Sequence, residues 1–225
     1  MKKNKLFLIL SLIVLSLFSC DKDVEKFNFN SNEYQHLVNV WKNSLEPYSC
    51  EIAFFGDSRV IGADWVSAFP EYDIVNLGIG GDKIEDLLYR LCLLDALDVQ
   101  RCFVSIGGNN ALSNQFNATR FKTNYELLIN ELKNRNIEIY VNTIAPITNY
   151  GNNYSESFVK GKNDKINTAN AIIRQLASDY EITLIDIAPL MTDAEGKLIK
   201  EYTVEGVHFS EAGNKLWFDV VKPYL

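Results

Sequence analysis

Five short apolar runs, separated by stretches of helical periodicity and closed by glycine, proline or polar turns, leave this chain few ways to fold. The runs are Glu51–Phe55, Asp73–Asn76, Arg101–Ile106, Ile137–Ile144 and Ile182–Ile187. Apolar runs this short, without polar alternation, suit strands buried on both faces. Between them, Ile84, Leu87, Leu88, Leu91 and Leu94 fall at helical steps. So do Tyr125, Leu128, Ile129 and Leu132, and again Ile166, Ala169, Ile172, Ile173 and Leu176. A first helix is expected over Asn32–Leu45, with Tyr34, Leu37, Val38 and Trp41 on one face. A last helix is expected after Ser210 as N-cap, carrying Ala212, Leu216 and Val220. Parallel strands need crossovers of about this length, and right-handed ones. The expected architecture is therefore α/β: one parallel sheet of five strands between two layers of helices.

The N-terminus reads as an export signal. Lys2, Lys3 and Lys5 precede an apolar or small-residue run from Leu6 to Phe18, too short to span a membrane. The run stops at Ser19-Cys20, followed at once by Asp21-Lys22-Asp23. That junction resembles the lipobox of bacterial lipoproteins, which implies cleavage before Cys20, its lipidation, and attachment to a bacterial membrane on the periplasmic or outer side. Residues 1–19 are then a leader, 20–31 a polar tether, and 32–225 the folded domain. Loss of the leader moves the formal charge from −7 to −10, which disfavours nucleic acid as a partner. Cys50, Cys92 and Cys102 remain. Cys50 and Cys102 precede strands at similar offsets and could meet, although three buried free thiols are the expected arrangement.

In open α/β sheets ligands bind beyond the carboxyl ends of the strands. Three polar turns follow the first three strands: Gly56-Asp57-Ser58-Arg59, Asn76-Leu77-Gly78-Ile79-Gly80-Gly81-Asp82, and Gly107-Gly108-Asn109-Asn110. A serine hydroxyl needs a base to become a nucleophile. The chain holds two histidines, His36 and His208. His36 falls within the first helix and reads as a partly exposed helix residue. His208 lies in Val204-Glu205-Gly206-Val207-His208-Phe209, just before the last helix and three residues after a glutamate. Ser58 with His208 and Glu205 is therefore the candidate catalytic set. Backbone N–H groups at Ser58 and Gly81, with the amide of Asn109, are the candidate donors to a developing oxyanion.

At these residues the chain resembles the SGNH hydrolases, also called the GDSL esterase/lipase family. The match runs through Gly56-Asp57-Ser58, Gly81, Gly107-Gly108-Asn109 and His208 in order, over residues from about 50 to 225. The resemblance implies a flavodoxin-like three-layer sandwich, an acyl-serine intermediate, no metal or organic cofactor, and an oxyanion hole of Ser58, Gly81 and Asn109. Two positions depart from it. Glu205 stands where the family usually has aspartate, and Asn110 where the third block usually ends in aspartate. The longer Glu205 requires its loop to shift if it is to reach His208; otherwise a backbone carbonyl would orient the imidazole.

Other chemistries fit less well. The serine follows the first strand without the Gly-x-Ser-x-Gly of a nucleophile elbow. No phosphate-binding loop is present, and cysteines and histidines are too scattered for zinc. Expected substrates are short acyl, chiefly acetyl, esters on carbohydrate. Lipid acyl hydrolysis, acyl transfer to a sugar hydroxyl, and a silent surface-binding lipoprotein are the alternatives. Asp57, Arg59 and Asn110 are candidate substrate contacts. Tyr150 and Tyr154 join them, with Phe158 nearby, on a stretch from Thr148 to Asp164 that reads as a long loop over the active edge.

Overall fold

The computed structural model describes residues 31–45 and 49–225. The leader, Cys20 and the tether up to residue 30 lie outside the described residues. Five strands form the sheet: β1 (Ile52–Gly56), β2 (Ile74–Gly78), β3 (Arg101–Ser105), β4 (Glu138–Asn142) and β5 (Thr183–Ile185). All neighbours are parallel, in the order β2-β1-β3-β4-β5. The order therefore reverses between β1 and β3, where an open α/β sheet opens a crevice for ligands. Gly56 pairs in register with Gly78 on one side and Ser105 on the other, so the turns after β1, β2 and β3 begin at the same edge.

The helices are α1 (Asn32–Leu45), α2 (Ser58–Ile61), α3 (Trp65–Ala68), α4 (Ile84–Tyr89), α5 (Cys92–Asp95), α6 (Gly108–Leu112), α7 (Ala118–Asn134), α8 (Glu156–Asp179) and α9 (Glu211–Val221). They cover both faces of the sheet, as the period-two alternation along buried strands requires. Ala53, Phe55, Leu77, Val104 and Val141 point into one core, with residues of α1, α4, α5, α7 and α8. Ile52, Phe54, Phe103, Tyr140 and Ile185 point into the other, with Val60, Trp65 and Trp217. In that second core Trp65 stacks on Phe54 at 3.7 Å between centroids, and Trp217 meets Trp65 edge-on at 4.7 Å.

The structure departs from the sequence expectation in three places that matter for the site. The helix expected from Ile84 to Leu94 breaks between α4 and α5, at Arg90, which turns inward and is wholly buried. Its Nε donates to Asp82 Oδ2 at 2.8 Å, and its Nη1 and Nη2 to the carbonyls of Leu77 and Gly56. The guanidinium also lies 4.3 Å over the Phe55 ring. The fourth strand ends at Asn142, short of Ile144. Beyond it, Asn170 on α8 takes both the N–H and the C=O of Ile144, and Asn163 does the same for Ile147. Side-chain amides thus replace the ladder. The stretch read as a loop to Asp164 is helical from Glu156, with Ser155 as N-cap accepting from Phe158 N. Periodicity alone missed these first turns because polar residues dominate them. Cys50, Cys92 and Cys102 are free thiols, and Cys92 is only half-buried because it sits on the short α5.

Arg90 carries a buried charge paired with the carboxylate of Asp82 at 2.8 Å. Replacing Arg90 by leucine in mildly alkaline buffer will destabilise the protein by about 3–5 kcal/mol, because the carboxylate is left without its cation. Urea unfolding reads this directly, and a loss below about 1 kcal/mol would contradict the assignment. Burial also pushes the Asp82 carboxyl up to about 7, against the pull of Arg90. The folded chain then holds this proton more tightly than the unfolded chain, whose aspartates titrate near ~3.9. Stability from this group therefore falls as pH climbs through that interval. Between pH 4 and 7 the wild type will lose stability relative to Asp82→Asn; a constant difference would contradict it.

Candidate active site

Ser58 opens α2 directly beyond β1. Asp57 is the N-cap: its Oδ1 accepts from Arg59 N at 3.0 Å. The carboxyl is buried, and that burial raises its pKa while Arg59 opposes the shift. Asp57 thus holds the turn from within. As the first helical residue, Ser58 has a backbone N–H without an intrahelical acceptor.

The base arrives from the other end of the chain. His208 Nε2 lies 3.0 Å from Ser58 Oγ, across 150 residues of sequence. On the far side of the ring, Nδ1 lies 2.6 Å from Glu205 Oε1. A carboxylate only accepts, so Nδ1 carries the ring proton toward Glu205 and Nε2 is left to accept from the serine hydroxyl. The longer glutamate side chain curls back: the same Oε1 also accepts from His208 N at 3.1 Å. Glu205, and no backbone carbonyl, orients the imidazole. The His208 side chain is 51% exposed and that of Glu205 39%, so the relay lies open to solvent.

A tight turn presents these two residues. Thr203 Oγ1 donates to the His208 carbonyl and accepts from Gly206 N, both at 2.8 Å. Gly206 takes φ +92°, where a side chain is disfavoured. Phe209 anchors the turn in the core, edge-on to Trp217 at 5.5 Å.

Arg59, expected among the substrate contacts, has its guanidinium occupied elsewhere. Nε donates to the carbonyl of Val207, Nη1 to that of Ala145 and Nη2 to that of Pro146. The group also lies 4.8 Å over the Phe209 ring. Asn110 is likewise internal. Its Oδ1 accepts from Ile84 N, and its Nδ2 donates to Glu85, whose other oxygen accepts from Asn124. An amide at this position supplies both a donor and an acceptor, which the aspartate usual in the family would not.

Of the oxyanion candidates, Asn109 is bonded to the residue after Gly81, which brings the turns beyond β2 and β3 together. Gly81 turns with φ +82°, and open space surrounds the position a Cβ would take. Asn109, on α6, donates one Nδ2 hydrogen to the Asp82 carbonyl at 2.9 Å, leaving the second free. Tyr150 and Tyr154 are exposed on the segment before α8, with Lys200 Nζ 4.5 Å over the Tyr150 ring and Tyr154 against Phe158. His36 lies exposed on α1.

Sequence reasoning missed several side chains that hold this geometry. Asn76 donates to the carbonyls of Val60 and Ala63 and so fastens β2 to the helix behind Ser58. Arg90, Thr203, Asn152 and Asn163 act similarly on other turns. The available signal was a polar residue at a core-facing position of a strand or helix, as at Asn76, Arg90 and Asn163. Among the described residues no group of three or more His, Cys, Asp or Glu side chains is arranged to hold a metal ion.

No curated protein sequence matches this one significantly. Similar solved structures include a Streptococcus pneumonia protein provisionally assigned as a platelet activating factor. It is 25% identical, with TM-score 0.72, over 97% of this chain and 97% of that one. A GDSL-like lipase from Bacteroides thetaiotaomicron is 18% identical, with TM-score 0.73, over 83% and 96%. The acetyl xylan esterase AlAXEase is 25% identical, with TM-score 0.65, over 78% and 100%. The profile of the GDSL-like lipase/acylhydrolase family matches residues 53–216, from β1 into α9 and through every turn described above, and the chain belongs to that family.

Proposed function

We propose that the chain is a serine esterase that removes short acyl groups, chiefly acetyl, from carbohydrate by way of an acyl-Ser58 intermediate. The observation that carries this reading is the unbroken relay from Ser58 Oγ through His208 to Glu205. In the first half-reaction Ser58 Oγ attacks the ester carbonyl carbon and its proton passes to His208 Nε2. The carbonyl oxygen becomes an oxyanion and accepts from the N–H groups of Ser58 and Gly81 and from Asn109 Nδ2. Glu205 stabilises the imidazolium formed on the way. Collapse of the adduct breaks the bond to the sugar oxygen, which takes the proton from Nε2. Water then repeats the sequence on the acyl-serine, releasing the carboxylic acid and restoring the hydroxyl.

Two features favour a small acyl group on a polar alcohol. The half-exposed imidazole argues against an enclosed channel for a long hydrocarbon chain. Tyr150, Tyr154 and Phe158 are partly exposed aromatic side chains, a residue type that stacks on sugar rings. The likeness to an acetyl xylan esterase points the same way. The basic start, apolar run and Cys20 support export and lipid anchoring.

A fluorophosphonate probe will label the wild-type protein and leave Ser58→Ala unlabelled; a folded wild type that resists the probe would overturn the proposal. Asn109→Ala will lower kcat by about 10²–10³-fold, the loss typical of one oxyanion donor. Across p-nitrophenyl esters of increasing chain length, acetate will be the best substrate. Activity that rises with chain length would favour a lipid acyl hydrolase instead.

A further inference from the structure

We infer that Asn152 is a positioning residue for Glu205, and that it makes the aromatic segment before α8 and the acid–base turn one mechanical unit. This rests on the catalytic reading above. Asn152 Nδ2 donates to the Glu205 carbonyl at 2.7 Å and to the Thr148 carbonyl at 3.0 Å, while its Oδ1 accepts from Tyr154 N at 2.9 Å. A primary amide is needed for this, because the site asks one side chain to donate and accept at once. A second link runs alongside, from Thr148 N to the Gly206 carbonyl at 2.9 Å.

The two turns also interlock sterically. A Cβ on Gly206 would come within 2.3 Å of both Asn152 Nδ2 and the Thr148 carbonyl oxygen. A Cβ on Gly151 would lie 3.0 Å from Glu205 Cα and from the Val204 carbonyl oxygen. With the backbones this close, the segment from Thr148 to Tyr154 cannot shift without moving Glu205.

The consequence concerns the added methylene of glutamate. Glu205 reaches His208 Nδ1 at 2.6 Å only from its present backbone position, and Asn152 holds that position through the carbonyl of the same residue. Tyr150 and Tyr154 flank Asn152 in sequence, so a ligand seated on their rings bears on the acid through the same amide.

The test is a double-mutant cycle of Asn152→Asp with Glu205→Ala, read as kcat and KM on p-nitrophenyl acetate. Asn152→Asp keeps the acceptor for Tyr154 N but sets oxygen against the Glu205 and Thr148 carbonyls. It will lower kcat about tenfold, in line with the sensitivity of catalysis to small displacements, with KM for this small ester near the wild-type value. In the Glu205→Ala background the same change will alter kcat by less than about twofold, because the residue it acts through is gone. A tenfold loss that persists in that background, or an Asn152→Asp protein with wild-type kcat, would overturn the inference. If thermal melting shows that Asn152→Asp does not fold, Asn152→Ala carries the same cycle. A wild type that neither hydrolyses the ester nor takes the fluorophosphonate label overturns the functional reading and this inference together. With an active wild type, the cycle bears on Asn152 alone.

Discussion

The guanidinium of Arg59 joins the Ser58 turn to the segment beyond β4 and to the turn that carries His208. It belongs to the residue after Ser58, and it grips the carbonyls of Ala145 and Pro146 beyond β4 and of Val207 beside His208. Each is a charge-assisted hydrogen bond, worth roughly 1.5–3 kcal/mol where well formed. Burial disfavours the Arg59 charge, and the carboxylates of Asp57 and Glu205 offset that penalty. Arg90 does comparable work on the facing side, tying the ends of β1 and β2 to Asp82 beside Gly81. A half-buried cation, Arg59, and a fully buried one, Arg90, therefore both fasten the carboxyl edge of the sheet.

Much of this was legible in the residue order. Short apolar runs that end together at one edge specify where the turns after β1, β2 and β3 must lie, and those turns carry Ser58, Gly81 and Asn109. Glu205 was readable through its three-residue spacing from His208, although its fit was not. The backward curl that bonds both the ring and the backbone of His208 depends on a turn set by Thr203 and Gly206.

The supports were illegible for a common reason. A polar residue in a short motif reads as a ligand contact when its long-range partners are unknown. Arg59 and Asn110 were read as substrate contacts, and both are bonded internally. Asn163 and Asn170 sit seven residues apart on the buried face of α8, a spacing that one strand-like backbone segment can meet. Nothing in the sequence names that segment as the stretch from Ile144 to Ile147. The aromatic segment was likewise assigned too long a loop, because the first turns of α8 are mostly polar, even where they are buried.

In the proposed reaction Ser58 forms a covalent bond to the acyl group during turnover. Rapid acid quenching of the protein with an acetate ester, followed by intact mass measurement and peptide mapping, reads that bond directly. The expected result is a mass gain of one acetyl group, confined to the peptide bearing Ser58 and reached within the first turnover. Steady hydrolysis with no acylated protein under conditions that trap the intermediate, or acylation mapped to another residue, would contradict it.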